Sequence, residues 1–260
     1  MFIPSINAIV AGFSAVIIFL TGYIIGFRLL AAMHTIKSKL LPWEAAFAMS
    51  LGSFYLGTVV SFVLLWVTGS NISPDVWGAW LDFSVTPVGI SIVIYIGFSV
   101  LRPKFAKSMA IIYLLTGIPF WASLWFNIPE PSAYITSTPP ELIHIALLSI
   151  ASYLTLIYLV SLGILMGGGF ISLARRSKGE IRTRSTYWAT GIILFCIAGF
   201  LDSQIPVEAI LLIVVRAVMV TSFLFLYNAM IPPKAEYYPS KVQAVALGTK
   251  RAEAKKQELS

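Results

Sequence analysis

Long stretches with almost no charge alternate along this chain with short stretches that hold nearly all of its Lys and Arg, and few environments other than a lipid bilayer accommodate that pattern. The apolar runs cover residues 7–30, 45–67, 80–101, 108–127, 142–173, 187–201 and 207–230. Each approaches or exceeds the ~20 residues that a helix needs to cross about 30 Å of hydrocarbon at 1.5 Å per residue. Seven spans are therefore expected.

The basic residues fix which way these spans run. Arg28, Lys37 and Lys39 follow the first run; Arg102, Lys104 and Lys107 follow the third. Arg175, Arg176, Lys178, Arg182 and Arg184 follow the fifth, and the remaining lysines and Arg251 lie after the seventh. The connections after the second, fourth and sixth runs contain none. Short loops rich in Lys and Arg stay in the cytoplasm, so the N-terminus is expected outside and the C-terminus inside. The expected fold is an all-α membrane protein, a bundle of seven transmembrane helices in a multi-pass arrangement in the cell membrane.

Composition agrees with this. Hydrophobic residues make up 58% of the chain and charged residues 11%, which leaves no segment with the makeup of a soluble globular domain. Two regions are expected: a seven-helix domain over 1–233 and a basic cytoplasmic tail over 234–260. The net charge of +7 needs no nucleic acid to explain it, because the cations are spread over loops that face anionic lipid. Cys196 is the sole cysteine, so no intramolecular disulfide forms. The first run is too long for a signal-peptide core and lacks a basic leader, so it is read as an uncleaved helix.

Several local features mark places where the bundle could bend or pack closely. Gly22 and Gly26 form a small-xxx-small pair that lets another helix approach the first span. Pro87 and Pro119 lie inside the third and fourth spans, where each removes a backbone hydrogen bond, and Gly167, Gly168 and Gly169 loosen the fifth. Proline-rich residues 128–141 suit an outer cap, and the turn Asp202 to Pro206 is tight enough to make the sixth and seventh spans neighbours. The 175–184 loop is the most basic connection, and residues 241–258 are helix-prone and basic; both are candidate contacts for a cytoplasmic partner or for lipid.

Arg216 is the exception to the charge partition. It lies ten residues into the seventh run, near the depth where an Arg costs about 2.5 to 3.5 kcal/mol to insert. Its long side chain leans toward the helix N-terminus, here the outer end, where Asp75, Asp82, Glu130, Glu141, Asp202 and Glu208 lie with no other cation. Asp82 and Asp202 are the expected partners. Three roles stand open for Arg216: a structural ion pair, a ligand-binding or gating group, and a cation snorkelling to headgroups. Trp121 and Trp125 share a helix face in the same outer half, where they serve either an interfacial aromatic belt or the wall of a pocket. His144, one turn into the fifth run, is either a helix-end histidine or a titrating group of that pocket.

Absences narrow the chemistry. The seventh run has no Lys to form a retinal Schiff base, and His34 and His144 are expected at opposite faces, which excludes a shared haem. There is no His-Glu-x-x-His, no Cys cluster and no pair of mid-bilayer carboxylates, so no metal, cofactor or catalytic role is expected. The layout resembles seven-helix receptors and the seven-helix sensory modules of some signalling enzymes, a resemblance of topology that does not by itself set function. The expected function is a non-catalytic receptor or sensor that binds a small ligand in an outer-half pocket formed by Arg216, Asp82, Asp202, Trp121, Trp125 and His144. An accessory subunit packed against a partner membrane protein is the alternative. A small-solute transporter comes third, because every carboxylate is expected at a helix end or in a loop.

Overall fold

The structure, a computed structural model, describes residues 6–36, 38–72, 75–126, 150–204 and 209–231. Among them every regular element is helical. Helices α1 (Ile6–Ala32), α10 (Gly179–Gln204) and α11 (Ala209–Met230) are continuous. Four other crossings are built from shorter pieces: α2 (Leu41–Ser53) with α3 (Leu56–Thr68), α4 (Asp75–Phe83) with α5 (Thr86–Leu101), α6 (Ala106–Leu115) with α7 (Gly117–Phe126), and α8 (Ile150–Leu162) with α9 (Gly169–Arg176). A short 3-10 turn, Pro103–Phe105, precedes α6, and a π-helical turn, Gly163–Gly168, joins α8 to α9. Six of these crossings pass as spans on length and apolarity, and α2 with α3 makes the seventh when taken as one span bent by 43°. The all-α membrane bundle expected from the sequence is the architecture found. The end that carries few Lys and Arg is called the outer end below.

The faces of α1 show how such a helix sorts its residues in lipid. Phe13, Ile17, Leu20, Ile24 and Phe27 recur every three or four residues and are exposed, whereas Ala8, Ala11, Ala15 and Ile18 are buried. Large apolar side chains dominate the face toward the hydrocarbon and small ones are concentrated toward the neighbours, with Ile18, Ile25 and Leu29 also buried there, because lipid gives no reason to hide a Leu and close helix approach rewards a small residue. Gly22 fulfils the packing expectation: a Cβ there would lie 2.6 Å from the Gly52 backbone nitrogen and 2.8 Å from the Ala48 carbonyl oxygen. The backbones of α1 and α2 touch at that point.

The run 45–67 was expected as one uninterrupted helix, and the structure corrects this: the helix stops and restarts at Phe54 and Tyr55, near the midpoint of the span. No proline marks the break. What makes it tolerable is Asp82 on α4, whose carboxylate accepts from the Thr58 backbone N–H (3.1 Å) and the Thr58 hydroxyl (2.9 Å). The Gly57 N–H faces the same carboxylate. A neighbouring helix thus satisfies the orphan donors at the start of α3, where a negative charge also suits the helix dipole.

The other interruptions follow signals in the sequence. Pro87 sits in the first turn of α5 and Pro119 in the first turn of α7, so each proline opens a restarted helix rather than kinking a continuous one. The carbonyl of Ser84, freed where α4 ends, accepts from the Trp121 indole N–H at 2.8 Å. Thr116, between α6 and α7, pairs its hydroxyl with the Tyr158 hydroxyl at 2.8 Å.

At the inner end a second correction applies. The basic stretch 175–184, expected as a loop, is unwound only at Ser177 and Lys178; Arg182 and Arg184 belong to the first turns of α10. Charged residues at the interface extend a membrane helix past the hydrocarbon without cost, because water and headgroups solvate them. Arg184 then closes α11: its Nε (2.9 Å) and Nη2 (2.8 Å) donate to the Ala229 carbonyl and Nη2 also reaches Met230 (3.3 Å), capping carbonyls that the helix leaves free.

Candidate functional site

Arg216 projects from α11 into the bundle, not into lipid, and only 3% of it is exposed. Its Nε lies 3.4 Å from Asp202 Oδ1 on α10, and its Nη1 donates to Ser14 Oγ at 2.7 Å and to the Ala11 carbonyl on α1. The guanidinium carbon stands 5.1 Å from the centroid of the Tyr55 ring, a cation–π distance. Tyr55 closes the circuit by donating its hydroxyl to Asp202 Oδ2 at 2.8 Å. Four segments meet here: α1, the α2–α3 break, α10 and α11.

Tyr55 occupies this place because the helix breaks beside it. At the interruption the chain turns its Phe54 and Tyr55 side chains into the interior, and the break places the start of α3 within reach of Asp82. Between these groups lies a cavity of about 100 Å³ bounded by Tyr55, Thr58, Asp82, Thr86, Asp202 and Arg216, with Phe195, Leu159 and Met219 forming apolar wall. Two carboxylates and one guanidinium face one small space within the bilayer-spanning part of the chain.

Three residues singled out in the sequence therefore come together: Arg216, Asp202 and Asp82. Asp202 is the direct ion-pair partner, while Asp82 spends its hydrogen bonds on α3 and reaches Arg216 only across the cavity. Trp121 and Trp125 do not line that cavity. Trp121 is held under Ser84, and Trp125, half exposed, packs its ring against Trp77 (5.7 Å) and Trp80 (5.1 Å). His144, Glu130, Glu141, Pro206, Glu208, the proline-rich stretch 128–141 and the tail 234–260 lie outside the described residues.

The residues that sequence reasoning missed are Tyr55, Thr58 and Ser14. A signal for them existed: polar groups within apolar runs, at positions where lipid offers no hydrogen-bond partner. Asp82 also departs from expectation. It stands at a helix end, as every carboxylate was expected to, but that end is a break inside the third span, and the carboxylate is buried there. Among the described residues no three His, Cys, Asp or Glu side chains gather as a metal site would require.

No family model, no curated protein and no solved structure matches the chain.

Proposed function

We propose that this chain is a non-catalytic membrane protein of receptor or sensor type that binds a small cation or primary amine in the cavity between Asp82 and Arg216. The observation that carries this reading is the convergence of Asp82, Asp202, Arg216 and Tyr55 on one cavity toward the outer end of the bundle. Polar groups at that depth are expensive, and those that persist inside a membrane bundle usually mark a ligand or ion path. The charge balance sets the ligand class. Asp202 is committed to Arg216 and Tyr55, which leaves Asp82 as the negative charge facing the open space. The volume is several times the ~10–15 Å³ that admits one water, room enough for a small organic cation as well as a bare ion. Arg176 and Lys178, exposed at the inner end, together with the tail, are the proposed contacts for a cytoplasmic partner.

The test is a melting-temperature series on the purified full chain with alkali cations, methylammonium and acetate. A ligand at a hundredfold its Kd adds about 2.7 kcal/mol of stability, so binding is readable as a rise in Tm. Cations should raise it, acetate should not, and Asp82→Asn should remove the response. An unchanged response in Asp82→Asn, or none to any cation, would overturn the reading.

One observation favours a second reading, a small-solute transporter. Breaks in two crossings, at Phe54–Tyr55 and beside Thr86, open onto the cavity, and interrupted helices around a buried site are how many carriers coordinate substrate. Proteoliposomes decide between the two: a receptor binds the cation without moving it, and a carrier accumulates it.

A further inference from the structure

Lipid-exposed surfaces of a membrane helix pair are normally apolar along their length, but the flank formed by α8, α9 and α10 changes character from one end to the other. At its inner end α9 and α10 are joined by only two residues and enclose a recess of about 250 Å³ lined by Ala174, Arg175, Arg182, Thr186, Thr190 and Ile193. No carboxylate lines it. Arg175 and Arg182 are exposed and form no ion pair with any described residue, and Glu180, the nearest acid on α10, stays outside the lining. Two guanidiniums from two helices thus face one recess at the Lys- and Arg-rich end of the bundle.

Ile193 belongs to a second recess as well. This one, about 380 Å³, continues toward the outer end between α8 and α10 and is walled by Leu156, Val160, Ile164, Ile197 and Phe200. Gly163, the first residue of the π-turn, belongs to this lining and places no side chain in it. From Arg182 to Ile197 the helix rises about 22 Å, more than half of the ~30 Å hydrocarbon core. The combined groove is basic at the interface and apolar from there inward.

We propose that this groove holds one anionic phospholipid, its phosphate between Arg175 and Arg182 and one acyl chain lying along α8 and α10 past Ile193. Basic recesses between membrane helices on the Lys- and Arg-rich side suit charged headgroups, and the guanidinium fork suits a phosphate. The apolar half distinguishes this ligand from a soluble phosphate, which would have no use for it. The site stands apart from the outer cavity and does not depend on the function proposed for that cavity.

Native mass spectrometry and melting curves of the purified full chain test it with three probes: phosphatidylglycerol, phosphatidylcholine and glycerol 3-phosphate. Phosphatidylglycerol should be retained as a single adduct and raise Tm, phosphatidylcholine should do so weakly, and glycerol 3-phosphate should have no effect. Arg175→Gln with Arg182→Gln should weaken phosphatidylglycerol retention about thirtyfold. Arg102→Gln, at the same end of the bundle and outside the groove, should leave it unchanged. Ile193→Trp, which fills the junction of the two recesses with both arginines intact, should abolish the adduct and covers the case in which the double variant does not fold. Stabilisation by glycerol 3-phosphate equal to that by the lipid would make this a soluble-phosphate site. An equal loss in Arg102→Gln would make it diffuse surface attraction, and retention in both groove variants would leave the lipid elsewhere; each result overturns the proposal.

Discussion

Arg216 holds three helices together through one side chain, and the cost of removing it depends on what is left behind. Arg216→Met alone strands Asp202 in the interior, as Asp202→Asn alone strands the guanidinium. Breaking a buried pair from one side costs about 3 to 5 kcal/mol, whereas replacing both charges is often nearly neutral. If the pair is structural, the double variant Arg216→Met with Asp202→Asn should melt closer to the wild type than either single variant, in a double-mutant cycle read by thermal denaturation. If the pair serves the cavity, the double variant should fold and lose the cation response. Tyr55→Phe removes one charged hydrogen bond and should cost about 1.5 to 3 kcal/mol. The Arg216–Asp202 pair was legible because an Arg in an apolar run demands an acid and Asp202 stood at the outer end of the neighbouring span. The role of Asp82 was not, because its partners are backbone N–H groups, which every sequence contains and which become available only where a helix breaks.

Interruptions within helices show the same limit of legibility. Pro87, Pro119 and the triple glycine 167–169 announce three of them, and the structure places a restart or a π-turn at each. The break at Phe54 and Tyr55 has no such mark, since it is held by Asp82, a residue on another helix. Two glycine substitutions separate these cases. A Cβ on Gly57 would sit 3.0 Å from the Asp82 carboxylate and collide with the Gly78 carbonyl, so Gly57→Ala should push α3 off α4, loosen the cap and cost about 1 to 3 kcal/mol. Gly168 has open space around its Cβ position and an ordinary helical φ of −62°, so Gly168→Ala should be neutral or should stabilise by about 0.4 to 1 kcal/mol by restricting the unfolded chain. Melting temperatures of the two variants under one set of conditions check both signs.

For the whole molecule, the decisive question is whether the α2–α3 pair crosses the membrane or dips in and returns. A returning segment has to reverse its direction, and a bend of 43° leaves α3 travelling the way α2 set out. Lys and Arg agree: with seven crossings every basic connection falls on one side, and with six the residues after Ser70 would exchange sides and split the cations between both faces. Cysteine labelling can read this directly. Cys196 lines the apolar groove between α8 and α10 and is replaced by Ala in the background. Ser70→Cys, exposed just past the end of α3, should react with a membrane-impermeant maleimide in intact cells. Ser177→Cys, between α9 and α10, should react only after permeabilisation. If Ser38→Cys, exposed between α1 and α2, labels from the same side as Ser70→Cys, α2 and α3 do not complete a crossing, and the outer end assigned to Asp82, Asp202 and Arg216 loses its basis.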